Sequence, residues 1–290
     1  MCRNLLLTLF FLTFVTQAYA RPEIIAHRGG TGDAPENTVL AINKALKNNA
    51  DAVWITVQLS KDGVPVLYRP SDLKTMTNYV GSVSDFTAKQ LAAADAGYYF
   101  DKPDFPYRNK GISIPTLENI LTKWKEVNFF LDIKSPDAAP DKLAKALAKV
   151  LRDTKSLQRT RVYSTEEKYL NALPNDIQRF VSRDLTRTTL ANVLMSHQCS
   201  IDAGESAERW YGLELKRQVD VVENFTLGQG HSPATMVWDE NAMKCFRAKM
   251  GAHIIFFNIN TPEDYQQAIQ LGADGVLVDS PSKFNRKVNP

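Results

Sequence analysis

Beyond an apolar run at its N-terminus, the chain alternates short, continuously apolar stretches with longer ones in which apolar positions recur every three or four residues. Glu23-Ile24-Ile25-Ala26, Ala52 to Leu59, Val64 to Tyr68 and Asn128 to Ile133 read as strands, as do Tyr211 to Leu215, His253 to Asn258 and Val276 to Asp279. Arg161 to Ser164 and Arg179 to Ser182 carry weaker versions of the same signal. Thr38 to Leu46, Asp141 to Arg152 and Pro262 to Leu271 read as helices, the second with Leu143, Leu147 and Leu151 on one stripe. Thr261 before Pro262, and Gly272 after Leu271, are the capping residues that helix ends favour. Strand then helix, repeated, argues a parallel sheet with crossover helices. Roughly eight such units in about 270 residues favour a closed (β/α)8 barrel over an open sheet, in α/β class and as one domain, 21–290. The region from Asp72 to Ile114 is long for one connection and predicts a small inserted cap over the barrel mouth, with a helix from Ala88 to Ala94.

The first 20 residues change the picture of where such a barrel works. Arg3, the apolar run Leu5 to Val15 and the small-x-small triplet Ala18-Tyr19-Ala20 form a secretory leader, so cleavage is expected after Ala20. The apolar run is too short to span a bilayer, and no cysteine follows the cleavage site to carry a lipid. An exported protein, periplasmic or extracellular and without a transmembrane span, is expected. The formal net charge of +3 falls by one when Arg3 leaves. No basic cluster interleaved with aromatics is present, so nucleic acid is not an expected partner. Cys199 and Cys245 remain after the leader, which leaves two readings open: a disulfide formed in an oxidising compartment, or two buried free thiols.

The candidate chemistry sits in a series of short motifs. His27-Arg28-Gly29-Gly30 follows the first strand, and Pro35-Glu36-Asn37-Thr38 opens the first helix. Later come Ala52-Val53-Trp54-Ile55-Thr56-Val57, Ile114-Pro115-Thr116-Leu117-Glu118, Phe130-Leu131-Asp132-Ile133-Lys134, Phe257-Asn258-Ile259-Asn260 and Asp279-Ser280-Pro281. In this order and spacing, over most of the mature chain, the sequence resembles the glycerophosphodiester phosphodiesterase family. That resemblance implies a TIM-type barrel with its site at the C-terminal ends of the strands. It also implies hydrolysis of glycerophosphodiesters, such as glycerophosphocholine, to glycerol 3-phosphate and an alcohol. The family works with two histidines, a divalent metal (Ca2+ or Mg2+) held by carboxylates, and an arginine on the phosphate.

Carried over residue by residue, His27 is the family's first histidine and a candidate general base. Arg28 is the phosphate arginine, whose planar fork suits phosphate oxygens. Glu36 shapes the same rim and is assigned either to orienting His27 or to holding a cation. Asn37 and Thr38 are expected to cap the first helix. Asp132 stands at a metal-carboxylate position, and Lys134 is retained near the phosphate. The departures fall on the rest. The family's Glu-x-Asp pair is Trp54-Ile55-Thr56 here, and in a strand Trp54, Thr56 and Gln58 share one face. Hard cations need carboxylate oxygens, so no tightly bound metal is expected, and Glu36 and Asp132 remain as weak ligands at most. The second histidine is Arg69, followed by Pro70. A guanidinium does not act as a general acid, but it supplies fixed positive charge.

Two readings follow. In the first, the chain is a phosphoric diester hydrolase, with catalytic His27 and Arg69 and with Arg28 and Lys134 on the phosphate of a glycerophosphodiester or phospholipid head group. Its gap is the proton donor to the leaving alkoxide, for which only water or Tyr68 suggests itself. In the second, it is a catalytically inactive binding protein, with Trp54 and Phe257 stacking on a quaternary ammonium; Trp54 merely filling the vacated metal cavity is the plainer account. Glu214 reads equally as facing the mouth or solvent. His231, within the turn-like Gly228-Gln229-Gly230-His231-Ser232, is the remaining histidine to place against the mouth, while His197 and His253 read as surface or capping residues.

Overall fold

The computed structural model describes residues 21–201 and 208–284, so the leader lies outside the described residues. The first half holds β1 (Glu23–Ala26), α1 (Val39–Lys47), β2 (Ala52–Leu59), β3 (Pro65–Leu67), α2 (Ala88–Leu91), α3 (Leu117–Lys123), β4 (Asn128–Ile133) and α4 (Pro140–Asp153). The second holds β5 (Thr160–Ser164), α5 (Glu167–Asn171), α6 (Arg183–Ser196), β6 (Arg209–Glu214), β7 (Lys216–Phe225), β8 (Gly228–Val237), α7 (Glu240–Phe246), β9 (Ala252–Phe257), α8 (Pro262–Gln270) and β10 (Gly275–Val278).

Seven strands pair in parallel in the order β5-β4-β2-β1-β10-β9-β6, with β3 antiparallel on β2. Two parallel bridges, Val162 to Arg179 and Phe180 to Trp210, join β5 to β6 and close the ring. The weak strand signal at Arg179 to Ser182 is this eighth place, cut to two bridges. Ser182 is already the cap of α6, accepting from the Leu185 amide at 3.3 Å. The fold is thus the expected TIM-type barrel. β2 and β6 lie four places apart in either direction around it, on opposite sides of the mouth.

Strand alternation sorts the core. Val53, Ile55 and Val57 of β2 and Phe129, Leu131 and Ile133 of β4 pack outward against the helices. Trp54, Phe130, Tyr163, Phe180 and Phe257 pack inward. Both faces are covered, which is why β2 is buried along its whole length and reads as a continuous apolar run. Among the described residues, no helix is long and apolar enough to cross a membrane.

Three expectations are corrected here. The insert after β3 has its own small core of Leu73, Val83 and Leu91, but no residue of 70–116 lines the mouth cavity. Its helix ends at Leu91 rather than Ala94. The stretch Gly228 to Ser232 is not a loop: it belongs to β8, which forms a long exposed hairpin with β7. Helices α3, α6 and α7 went unread because they are short or, in α6, carry threonines on the buried face in place of a clean apolar stripe.

Cys199 and Cys245 form a disulfide that ties the segment after α6 to α7 across 46 residues. Closing a loop of that length restricts the unfolded chain, and removal is expected to cost about 2–4 kcal/mol. A Cys199→Ser/Cys245→Ser variant should therefore show a clearly lower urea midpoint. An unchanged midpoint would mean that the bridge constrains nothing the fold does not already hold.

Candidate active site

The site begins where β1 ends. His27–Gly29 forms a single tight turn, with Arg28 at φ 50°, Gly29 at φ 79° and Gly30 at φ 98°. Gly29 is required there: a Cβ would sit 3.1 Å from Cγ1 of Ile42 and 3.3 Å from Cβ of Ala41 in α1. Arg28 occupies left-handed backbone without that freedom, a strain characteristic of functional turns. Thr38 caps α1 as expected, accepting from the Ala41 amide at 3.1 Å. Asn37 does not cap; its side-chain oxygen accepts the Thr56 amide at 2.8 Å and ties the turn to β2.

His27 is oriented by a residue that the sequence reading did not assign. Its Nδ1 lies 2.6 Å from Oδ1 of Asp279, which follows β10, the neighbour of β1 in the ring. Asn260 brackets Asp279 from the other side, donating to Oδ2 at 3.1 Å and accepting the Asp279 amide at 3.0 Å. The hydrogen bond from His27, foremost, holds the Asp279 carboxyl below its usual range. An ionised carboxylate only accepts, so Nδ1 carries a proton and, in the neutral ring, Nε2 keeps the lone pair. The signal for Asp279 was its place at the C-terminal end of a barrel strand.

Glu36 does not orient His27. Its Oε2 accepts from Arg28 Nη1 at 2.7 Å and from the Thr31 hydroxyl at 3.1 Å, and it lies behind Arg28, outside the cavity lining. Arg69 is held through its backbone: the buried Gln58 amide donates to the carbonyls of Arg69 at 3.0 Å and Pro70 at 2.8 Å. The Arg69 side chain is exposed and lines the cavity. At the end of β4, Lys134 Nζ lies 3.3 Å from Oδ1 of Asp132 and donates to the Thr165 hydroxyl at 2.9 Å. Burial pushes the Asp132 carboxyl up, against the pull of Lys134.

The opposite half of the mouth holds a second charged group. Arg183 Nη2 donates to both oxygens of Glu214 at 2.8 Å, and its Nη1 lies 3.1 Å from the Tyr163 hydroxyl. Arg217 reaches the same carboxylate at 3.4 Å. Burial, the largest single influence, raises the Glu214 carboxyl, but the hydrogen bonds from Arg183 and the backbone, together with the charges of Arg183 and Arg217, outweigh it and leave the group below its usual value. Burial also lifts Tyr163 to about 12. Glu214 thus faces the mouth, settling the two readings left open. Arg183 and Arg217 were not assigned; their places just past the strand readings Arg179 to Ser182 and Tyr211 to Leu215 were the signal that could have found them.

Both halves open into one cavity of about 460 Å³. Its floor is Trp54 and Phe257, 2% and 7% exposed. Trp54 packs against Phe257 and Tyr163 with ring centroids at 5.1 Å, and against Phe130 at 6.0 Å. With its faces covered, the indole cannot stack on a quaternary ammonium, and the expected cation–π role of Trp54 and Phe257 is corrected to that of an aromatic floor. Tyr68 is equally committed: its hydroxyl donates to the carbonyls of Asp72 and Leu73 at 3.0 and 3.1 Å, and burial raises its pKa. His231 sits on the exposed hairpin beside Asp220, at 2.5 Å, away from the cavity.

The donor set does not fit a divalent cation. Register places Thr56 opposite Asp132, and no described group of three His, Cys, Asp or Glu residues is arranged for a metal. Asp132 is paired with Lys134, Glu36 is turned to Arg28, and a buried indole fills the adjacent inward position. The assignment of Glu36 as a ligand is corrected accordingly.

The fold and the site together are those of a closed α/β barrel with a cation-rich cavity at the C-terminal ends of its strands. The sequence pattern of the Glycerophosphoryl diester phosphodiesterase family matches residues 27–283, and the chain belongs to that family. It is 43% identical over 267 residues to Uncharacterized protein Rv2277c of Mycobacterium tuberculosis, covering 90% of this chain and 87% of that protein. It is 25% identical over 267 residues to a Glycerophosphodiester phosphodiesterase of Bacillus subtilis, covering 90% and 85%. The crystal structure of the glycerophosphoryl diester phosphodiesterase domain of Rv2277c superposes with a TM-score of 0.85 at 41% identity, covering 93% of this chain and all of that domain. An Oleispira antarctica phosphodiesterase, solved in complex with the product sn-glycerol-3-phosphate, shares the fold at a TM-score of 0.61 and 20% identity, covering 93% and 98%.

Proposed function

We propose that the chain is an exported phosphoric diester hydrolase that cleaves glycerophosphodiesters to glycerol 3-phosphate and an alcohol without a resident metal. The observation that carries the reading is the Asp279–His27 pair beside Arg28, Arg69 and Lys134 in one cavity. The His27 Nε2 lone pair takes a proton from water as its oxygen bonds to phosphorus. Arg28, Arg69 and Lys134 hold the phosphate oxygens and stabilise the charge that develops there. The bond from phosphorus to the alcohol oxygen breaks, and that oxygen needs a proton. Water in the cavity supplies it, since Asp132 is ion-paired with Lys134 and the Tyr68 hydroxyl is committed to the carbonyls of Asp72 and Leu73. The leader and the Cys199–Cys245 bridge support action outside the cytoplasm.

The test is release of glycerol 3-phosphate by residues 21–290 from glycerophosphoinositol and glycerophosphocholine, with added calcium or magnesium and again in chelator. Turnover that persists in chelator is expected. Activity abolished by chelator would show that a metal is recruited despite the donor set. No turnover under any condition, with retained binding of a glycerophosphodiester, would leave the chain a head-group-binding barrel.

A further inference from the structure

The half of the mouth formed by Arg183, Glu214 and Arg217 has no task in phosphodiester cleavage as described above. It carries two guanidiniums against one carboxylate, and all three line the cavity. β6, which ends at Glu214, stands diametrically opposite β2, whose antiparallel neighbour β3 leads into Arg69. The excess positive charge is therefore separated by the width of the mouth from the phosphate-holding group.

We infer, resting on the hydrolase reading, that Arg217 and Arg183 form a head-group subsite for a second anion, a phosphomonoester borne by the leaving alcohol. Three features of the cavity point the same way. Glu214 is already bonded through both oxygens to Arg183, so Arg217, at 3.4 Å and 37% exposed, keeps donors directed at the cavity. A planar guanidinium offers paired donors that match phosphate oxygens. Nothing in the cavity suits a cationic head group, since the aromatic floor has no open face and each lining carboxylate, Asp132, Glu214 and Asp279, already has a basic partner. The preferred substrate is thus a glycerophosphodiester with a negative charge at the far end of its head group.

The experiment compares kcat/KM for glycerophosphoinositol 4-phosphate, glycerophosphoinositol and glycerophosphocholine, which differ in head-group charge. The expected order is phosphorylated inositol first, by about tenfold over plain inositol, with choline last. Arg217→Gln should bring the first two close together, and Arg217→Glu should reverse the order in favour of choline; thermal melts establish that both variants fold. Equal rates, a preference for choline in the parent, or a ratio that Arg217→Gln leaves intact would overturn the subsite. If the parent hydrolyses none of the three, calorimetric titration of His27→Ala with the two inositol compounds separates the failures. Tighter binding of the phosphorylated one would support the subsite and sink the hydrolase reading. Equal binding would sink the subsite.

Discussion

His27→Ala is expected to lower kcat/KM for glycerophosphodiester hydrolysis by about 10³-fold, near the middle of the range for a general base. No other histidine lines the cavity, so nothing stands ready to replace its Nε2. Asp279→Asn should cost about 10²-fold through His27 alone. Asp279 serves two donors, Nδ1 of His27 at 2.6 Å and Nδ2 of Asn260 at 3.1 Å, on separate oxygens. An amide has one oxygen for the two of them, and its NH2 turned toward His27 would force the proton onto Nε2, where no base remains. Because the two residues act as one unit, the double variant should be no slower than His27→Ala. Additive losses would show that Asp279 has a role of its own on the substrate. The pair also has an acid limit. The folded Asp279 pKa lies below its ordinary value, so its stabilising contribution is complete above the unfolded carboxylate pKa of about 4 and is lost as pH falls through the lower folded value. A parent whose melting temperature depends on acid more steeply than that of Asp279→Asn would show this directly.

Trp54→Ala is expected to lose about 3–5 kcal/mol of stability, the usual cost of emptying a large aromatic site. The indole is 2% exposed and touches Phe130, Tyr163, Phe180 and Phe257, so little of the surrounding wall can collapse inward without breaking other ring contacts. Trp54→Glu, which restores the residue type found at this position in the family resemblance, should be worse still. It would set an unpaired carboxylate among four rings, and calcium should not rescue it, because Asp132 is ion-paired with Lys134 and Glu36 is turned to Arg28. Urea unfolding of the three proteins, with and without calcium, decides this. A loss below about 1 kcal/mol for Trp54→Ala would mean the floor is loosely packed, and rescue of Trp54→Glu by calcium would mean that the old metal position is still latent.

Much of this protein was legible in its sequence. Strand alternation placed Trp54, Thr56 and Gln58 on one face, and that face does point into the barrel. The motif after β1 placed His27 and Arg28 at the mouth, since residues just past a barrel strand are presented there. The loss of carboxylates from β2 was equally readable, because it needs only residue types and a period of two. What Glu36 does was not readable. Its neighbours in sequence include both His27 and Arg28, and only the left-handed turn at Arg28 decides which one it meets. Nor was the partnership of His27 with Asp279, 252 residues away, because adjacency of β1 and β10 arises only when the barrel closes. The same closure sets Arg183, Glu214 and Arg217 across the mouth from Arg69. The sequence alone determined which chemical groups were present and which strand faces carried them, since both follow from local geometry. The tertiary structure decided which groups face one another, since ring closure brings together side chains whose separation along the chain carries no record of their distance in space.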